Sequence, residues 1–81
     1  MEFIKIGTVE LTEAEALEYC QNGKYIVTYS KIYALHYSNA QKKVYGTEIY
    51  SRPRMAKRGR FHVMNSKEIN EMLGFTLLAE I

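Results

Sequence analysis

Apolar residues alternate with polar ones along some stretches of this chain and recur every third or fourth position along others, and the switches between the two rhythms mark its elements. Phe3, Ile4, Ile6 and Val9, with Thr8 among them, predict an opening strand in which Gly7 is a bulge or a point of close backbone approach. The rhythm then lengthens at Thr12-Glu13-Ala14-Glu15, a capping box in which the Thr12 hydroxyl accepts from the third helical N–H and Glu15 reaches back to the N–H of the cap. Leu11 and Ala16 stand where a hydrophobic staple belongs. Glu13, Glu15 and Glu18 suit the positive end of the helix, and Asn22-Gly23 supplies the left-handed residue that closes it.

From Lys24 to Ser38 the chain is rich in Tyr, Ile, Val and Thr. Alternation places Tyr25, Val27, Tyr29, Tyr33, Leu35 and Tyr37 on one side. Tyrosines four apart would also line a helix, but the β-branched residues after Gly23 favour a strand, broken into two near Ser30-Lys31. Residues 38–42 read as a turn and Lys43 to Tyr50 as the returning strand of a hairpin. Pro53 cannot donate to a sheet ladder and ends that strand. Arg60 to Met64 predicts a short strand, and Asn65-Ser66-Lys67-Glu68 a second capping box with Met64 and Ile69 as its staple. Ile69, Met72 and Leu73 form the apolar face of that helix, Gly74 ends it, and Phe75 to Ile81 predicts a closing strand. The expected fold class is α+β: an antiparallel sheet of about five strands with two short helices on one face, built as a single domain over residues 1–81.

Composition agrees with a folded chain, since 47% of the 81 residues are hydrophobic and 25% charged. A core this thin gains from self-association, which makes a homo-oligomer the expectation. Cys20 stands alone, which excludes an internal disulfide and suggests a reducing compartment, the cytoplasm. The start lacks the layout of a signal peptide and the longest apolar stretches fall far short of a bilayer span, so no membrane passage is expected.

The net charge of +2 conceals an asymmetry. Arg52, Arg54, Lys57, Arg58 and Arg60 place five of the eleven basic residues within nine positions that hold no acid, leaving six against nine acidic residues elsewhere. A planar guanidinium clamps phosphate through two parallel hydrogen bonds, and Gly59 lets backbone approach an anion. Tyr50 and Phe61 flank the run, and with Tyr45 they are the candidates for stacking a base; His62 adjoins it and is a candidate phosphate contact. Against this stand plainer readings: a solvated loop, tyrosines packed across strands, a half-exposed strand histidine. His36 and His62 lie too far apart for zinc spacing, Cys20 shares a helix face with Ala16 and Leu17 as a buried thiol would, and all nine acids are Glu. With no phosphate-binding glycine loop, nucleophile elbow or paired carboxylates, the chain reads as a non-enzyme with neither metal nor cofactor.

Glu15-Ala16-Leu17 through Asn22-Gly23-Lys24 and Ile26, then Gly46-Thr47-Glu48-Ile49 with Arg52-Pro53, Met55, Ser66 and Met72-Leu73, are similar in order to small phage proteins of the Thoeris anti-defence family, second type. The likeness spans about half the chain, which departs from the pattern in lacking Trp and Asp and in placing a strand before the first helix. It implies a non-catalytic oligomer in the cytoplasm of a bacterial host that sequesters cyclic nucleotide signals of immunity, with aromatic residues stacking the bases. Two functions are therefore expected in order: an accessory protein binding a phosphate-rich nucleotide or nucleic acid through the basic run, or an inhibitor whose basic loop docks on a host defence nuclease or another nucleic-acid-handling enzyme.

Overall fold

The computed structural model describes residues 2–79. Its opening is a hairpin and not one strand: β1 (Phe3–Ile6) pairs antiparallel with β2 (Val9–Thr12), Ile6 facing Val9 across Gly7 and Thr8. Gly7 has φ 62°, and a glycine at the first central position is what a two-residue hairpin turn takes most readily. The expected close approach is present as well, because a Cβ on Gly7 would run into the hydroxyl and ring of Tyr33.

Helix α1 (Glu13–Gln21) begins in the predicted capping box. Thr12 Oγ1 accepts from the Glu15 N–H at 3.1 Å and Glu15 Oε1 accepts from the Thr12 N–H at 3.0 Å, while Leu11 and Ala16 are buried beside each other in sequence register as the staple requires. It ends in a Schellman arrangement, the Lys24 N–H donating to the Tyr19 carbonyl at 2.9 Å and the Gly23 N–H to the Cys20 carbonyl at 3.2 Å, with Gly23 at φ 67°.

A second sheet follows: β3 (Tyr25–Val27), β4 (Lys31–Ser38), β5 (Lys43–Ser51) and β6 (His62–Met64), all pairs antiparallel, in the spatial order β5-β4-β3-β6. Helix α2 (Ser66–Leu73) then starts at an Asn65–Glu68 capping box and stops at Gly74, φ 82°. The α+β class with an antiparallel sheet stands, as six strands in two sheets.

The helices occupy opposite faces of the four-stranded sheet, not one. Ile26, Tyr33, Leu35, Val44 and Val63 pack with α1 and the β1–β2 hairpin, whereas their neighbours Tyr25, Val27, Ile32, Tyr50 and Met64 pack with Met55 and with Ile69 and Leu73 of α2. Two features switch the alternation. Four residues separate Val27 from its partner Ile32, which sends Tyr25 and Val27 to the face opposite Tyr33 and Leu35. A bulge at Ile49 does the same in β5, since Ile32 faces Tyr50 while Tyr33 faces Glu48. Each face thus has its own small core, and the molecule is a slab of 36 × 31 × 16 Å.

The closing strand is also absent from the described residues. Leu77 and Leu78 pack beside α2, and their backbone is satisfied by one side chain: Asn70 Oδ1 accepts from both N–H groups at 2.8 and 3.0 Å while its Nδ2 donates to the Leu78 carbonyl at 2.7 Å. An amide side chain that mimics a strand neighbour leaves this backbone no need of a sheet partner. The last two positions of that expected strand, 80 and 81, lie outside the described residues. Among those described, no helix is long and apolar enough to cross a membrane.

Candidate anion-binding site

Because β5 and β6 lie at opposite edges of their sheet, the basic run is a crossover and not a hairpin connection; it must traverse the ends of β4 and β3, roughly 14 Å at three strand spacings. It does so bound to the β3–β4 turn. The Arg52 N–H donates to the Ser30 carbonyl and the Met55 N–H to the Tyr29 carbonyl, both at 2.9 Å. Between these anchors Pro53 and Arg54 form a tight reversal, Arg54 at φ 67°, a conformation that normally calls for glycine or asparagine. The reversal turns Met55 inward, where it is 6% exposed among Val27, Ile32, Ile69 and Leu73. A second turn follows, closed by the Arg60 N–H on the Lys57 carbonyl at 3.0 Å with Gly59 at φ 77°. Gly59 is therefore needed for the turn itself.

This backbone directs one apolar side chain into the core and the cations outward. Arg54, Lys57, Arg58 and Arg60 are exposed and Arg52 is half-buried. Among the described residues the ion pairs are Lys5–Glu10 at 3.9 Å and Lys31–Glu48 at 2.7 Å, so none of the five has a carboxylate within 4 Å. Lys31, at the start of β4, is engaged: its bond to Glu48 and the charge of that carboxylate hold the ammonium above the ordinary lysine value. Arg58 is fixed in another way, its guanidinium carbon 4.5 Å from the ring centre of Tyr29 and Nη2 donating to the Tyr29 hydroxyl at 3.3 Å.

The aromatic candidates separate. Phe61, 38% exposed, continues the crossover and lies beside Arg60, and His62 follows it on the surface. Tyr50 is packing: it meets Phe75 edge to face at 5.9 Å within the α2-side core. Tyr45 is remote from the basic run, paired with His36 at 5.2 Å and five residues, about 17 Å of strand, from Tyr50. Cys20 is half-buried, its Sγ 3.7 Å from the Leu35 carbonyl, as a structural thiol would be.

Tyr29 and the cleft beyond it are not among the residues expected at the site. A cleft of about 390 Å³ opens where the crossover meets the β1–β2 hairpin and the β3–β4 turn, lined by Arg60 and Phe61, by Tyr29 and Ser30, and by Thr8 and Glu10. An aromatic set between Thr28 and Ser30 at a strand break is the signal that points to Tyr29; nothing local points to the hairpin tip. A larger concavity of about 600 Å³ along α2 is more open and carries Lys67 and Glu71, one charge of each sign. No three His, Cys or Glu side chains converge to hold a metal among the described residues.

No family model, curated protein or solved structure matches this chain. The likeness to the Thoeris anti-defence family rests on the residues quoted for it.

Proposed function

We propose that the chain is a non-catalytic binding protein whose crossover 52–60 engages the phosphates of a nucleotide or nucleic acid. One observation carries this reading: five cationic side chains, none with a carboxylate within 4 Å among the described residues, project from a backbone held by a buried methionine and two hydrogen bonds to another turn. Preorganised donors lose little freedom on binding, and guanidinium groups match phosphate geometry. The narrower role, sequestering a signal of bacterial immunity, is supported by the resemblance alone.

Calorimetric titration with inorganic pyrophosphate and with a short single-stranded oligonucleotide tests the proposal. Binding of either, reduced at least tenfold in an Arg54→Ala, Arg60→Ala double variant of unaltered melting temperature, is the expected result. These two positions are preferred because Arg58 is also bound to Tyr29. Raising salt from about 50 to about 200 mM separates the ligand classes, since a strand neutralised at several phosphates loses affinity far more steeply than a small anion. Absence of binding to both ligands at low salt would falsify the proposal.

A further inference from the structure

The lining of the cleft beside the crossover includes an acidic residue that a plain phosphate patch would not contain, Glu10. Glu10 is not consumed by an internal partner. Lys5 lies 3.9 Å away across the hairpin, but the two side chains are 71% and 59% exposed, so water screens the pair and the Glu10 oxygens keep their capacity to accept. Thr28, by contrast, is committed, its Oγ1 donating to the Lys31 carbonyl and accepting from the Lys31 N–H, each at 3.1 Å.

A small cleft lined by one acidic residue, Glu10, and one basic residue, Arg60, that form no ion pair with each other selects an asymmetric ligand. Phosphate is drawn to Arg60 and repelled by Glu10, so the part of the ligand that reaches Glu10 carries no negative charge and donates hydrogen bonds. Two adjacent hydroxyls on a ribose meet that need, because a carboxylate accepts from both. The exposed ring of Phe61, in the same lining, offers a face on which a base stacks. The volume, about 390 Å³, lies within the range of sites for small organic ligands.

We infer that this cleft takes a ribonucleotide with a free 2′,3′-diol, its phosphates at Arg60 and its crossover neighbours, its base against Phe61 and its diol donating to Glu10. The inference rests on the reading of the crossover as a phosphate site and makes it narrower. Inside an RNA strand the 3′ oxygen is esterified and brings a second phosphate towards Glu10, and DNA lacks the 2′ hydroxyl. The preferred ligand is therefore a free nucleotide or the 3′ end of an RNA, not the interior of a polynucleotide.

Calorimetry with ADP, 2′-deoxy-ADP and inorganic pyrophosphate, on the wild type and on Glu10→Gln and Phe61→Leu variants of confirmed melting temperature, decides the matter. Charge-assisted hydrogen bonds of this kind make ADP bind about tenfold more tightly than its 2′-deoxy form. Glu10→Gln removes that preference without weakening pyrophosphate, and Phe61→Leu weakens ADP several-fold with pyrophosphate unchanged. Equal affinity for ADP and 2′-deoxy-ADP in the wild type, or tighter ADP binding by Glu10→Gln, overturns the inference while pyrophosphate binding keeps the phosphate site. If pyrophosphate and ADP both fail to bind the wild type, the underlying reading falls too.

Discussion

Two connections in this molecule each hold a basic residue in the left-handed region, Lys42 in the β4–β5 turn and Arg54 in the β5–β6 crossover. In the turn the bonds are local, the Lys42 N–H and the Gln41 N–H both reaching back to Ser38, at 2.7 and 3.2 Å. Lys42 and Lys43 share a small concavity with Glu13 of α1, which offsets their field. In the crossover the bonds reach a turn more than twenty residues earlier in the chain, and a buried side chain holds the centre. Both segments are cationic and both contain a strained position. What separates them is that the crossover presents its charge from a backbone fixed by tertiary structure and beside a cleft, so that binding an anion there orders little that is not ordered already.

Removing the anchor should break this contrast most severely. Met55→Ala is expected to cost roughly 2 to 5 kcal/mol in urea unfolding, as for other buried large-to-small changes, and to weaken pyrophosphate binding by releasing the crossover. Lys42→Ala, the matching change in the turn, should stay within about 0.5 kcal/mol. Equal effects at the two sites would mean that the crossover is no better anchored than the turn.

The paired glycine substitutions sharpen the comparison. Lys42→Gly and Arg54→Gly each remove a left-handed side-chain penalty and add unfolded-state entropy, for a net gain of up to about 1 kcal/mol in thermal unfolding. Only Arg54→Gly should lose phosphate affinity.

A smaller effect is expected at Tyr29. Tyr29→Leu abolishes the contact with Arg58, costing about 0.5 to 1 kcal/mol on the scale of exposed cation–π pairs, and frees that guanidinium, which calorimetry should detect as weaker binding.

The smallest belongs to a position outside both segments. Hydrogen bonds from the Thr12 backbone, then from its side chain, hold the Glu15 carboxyl below the ordinary value of 4.5. A folded value below the unfolded one contributes stability that is present above pH 4.5 and lost as pH falls through the folded value. Glu15→Gln should accordingly flatten the acid limb of the stability profile, measured by denaturation at a series of pH values, and leave pyrophosphate affinity unchanged.

The parts of the fold that were legible in the sequence are those decided within four residues. Both capping boxes, the Gly23 and Gly74 stops and the break before Lys31 depend on neighbours in the chain, and each stands where the residue pattern placed it. The β1–β2 turn was legible in principle, since Gly7-Thr8 is a two-residue hairpin signal, but the apolar run through Ile6 and Val9 masked it. The assignment of the helices to opposite faces was not legible, because the length of the β3–β4 turn and a single bulge invert the alternation, and neither that length nor the bulge has a marker in the residue pattern. Asn70 took the backbone that Leu77 and Leu78 would have given to a strand, a substitution visible only in three dimensions. At the candidate site the charge was a fact of composition. The inward Met55, the Tyr29 contact and the cleft with Thr8 and Glu10 arise from three connections meeting, which no local pattern encodes.

The most direct test of the central claim is a titration of isotope-labelled protein with inorganic pyrophosphate, followed by backbone amide shifts. The account predicts saturable shifts at Arg52, at residues 54–61 and at Tyr29 and Ser30, with the Lys42 and Lys43 amides unmoved. Comparable shifts in both segments, or shifts confined to the β4–β5 turn, would contradict it.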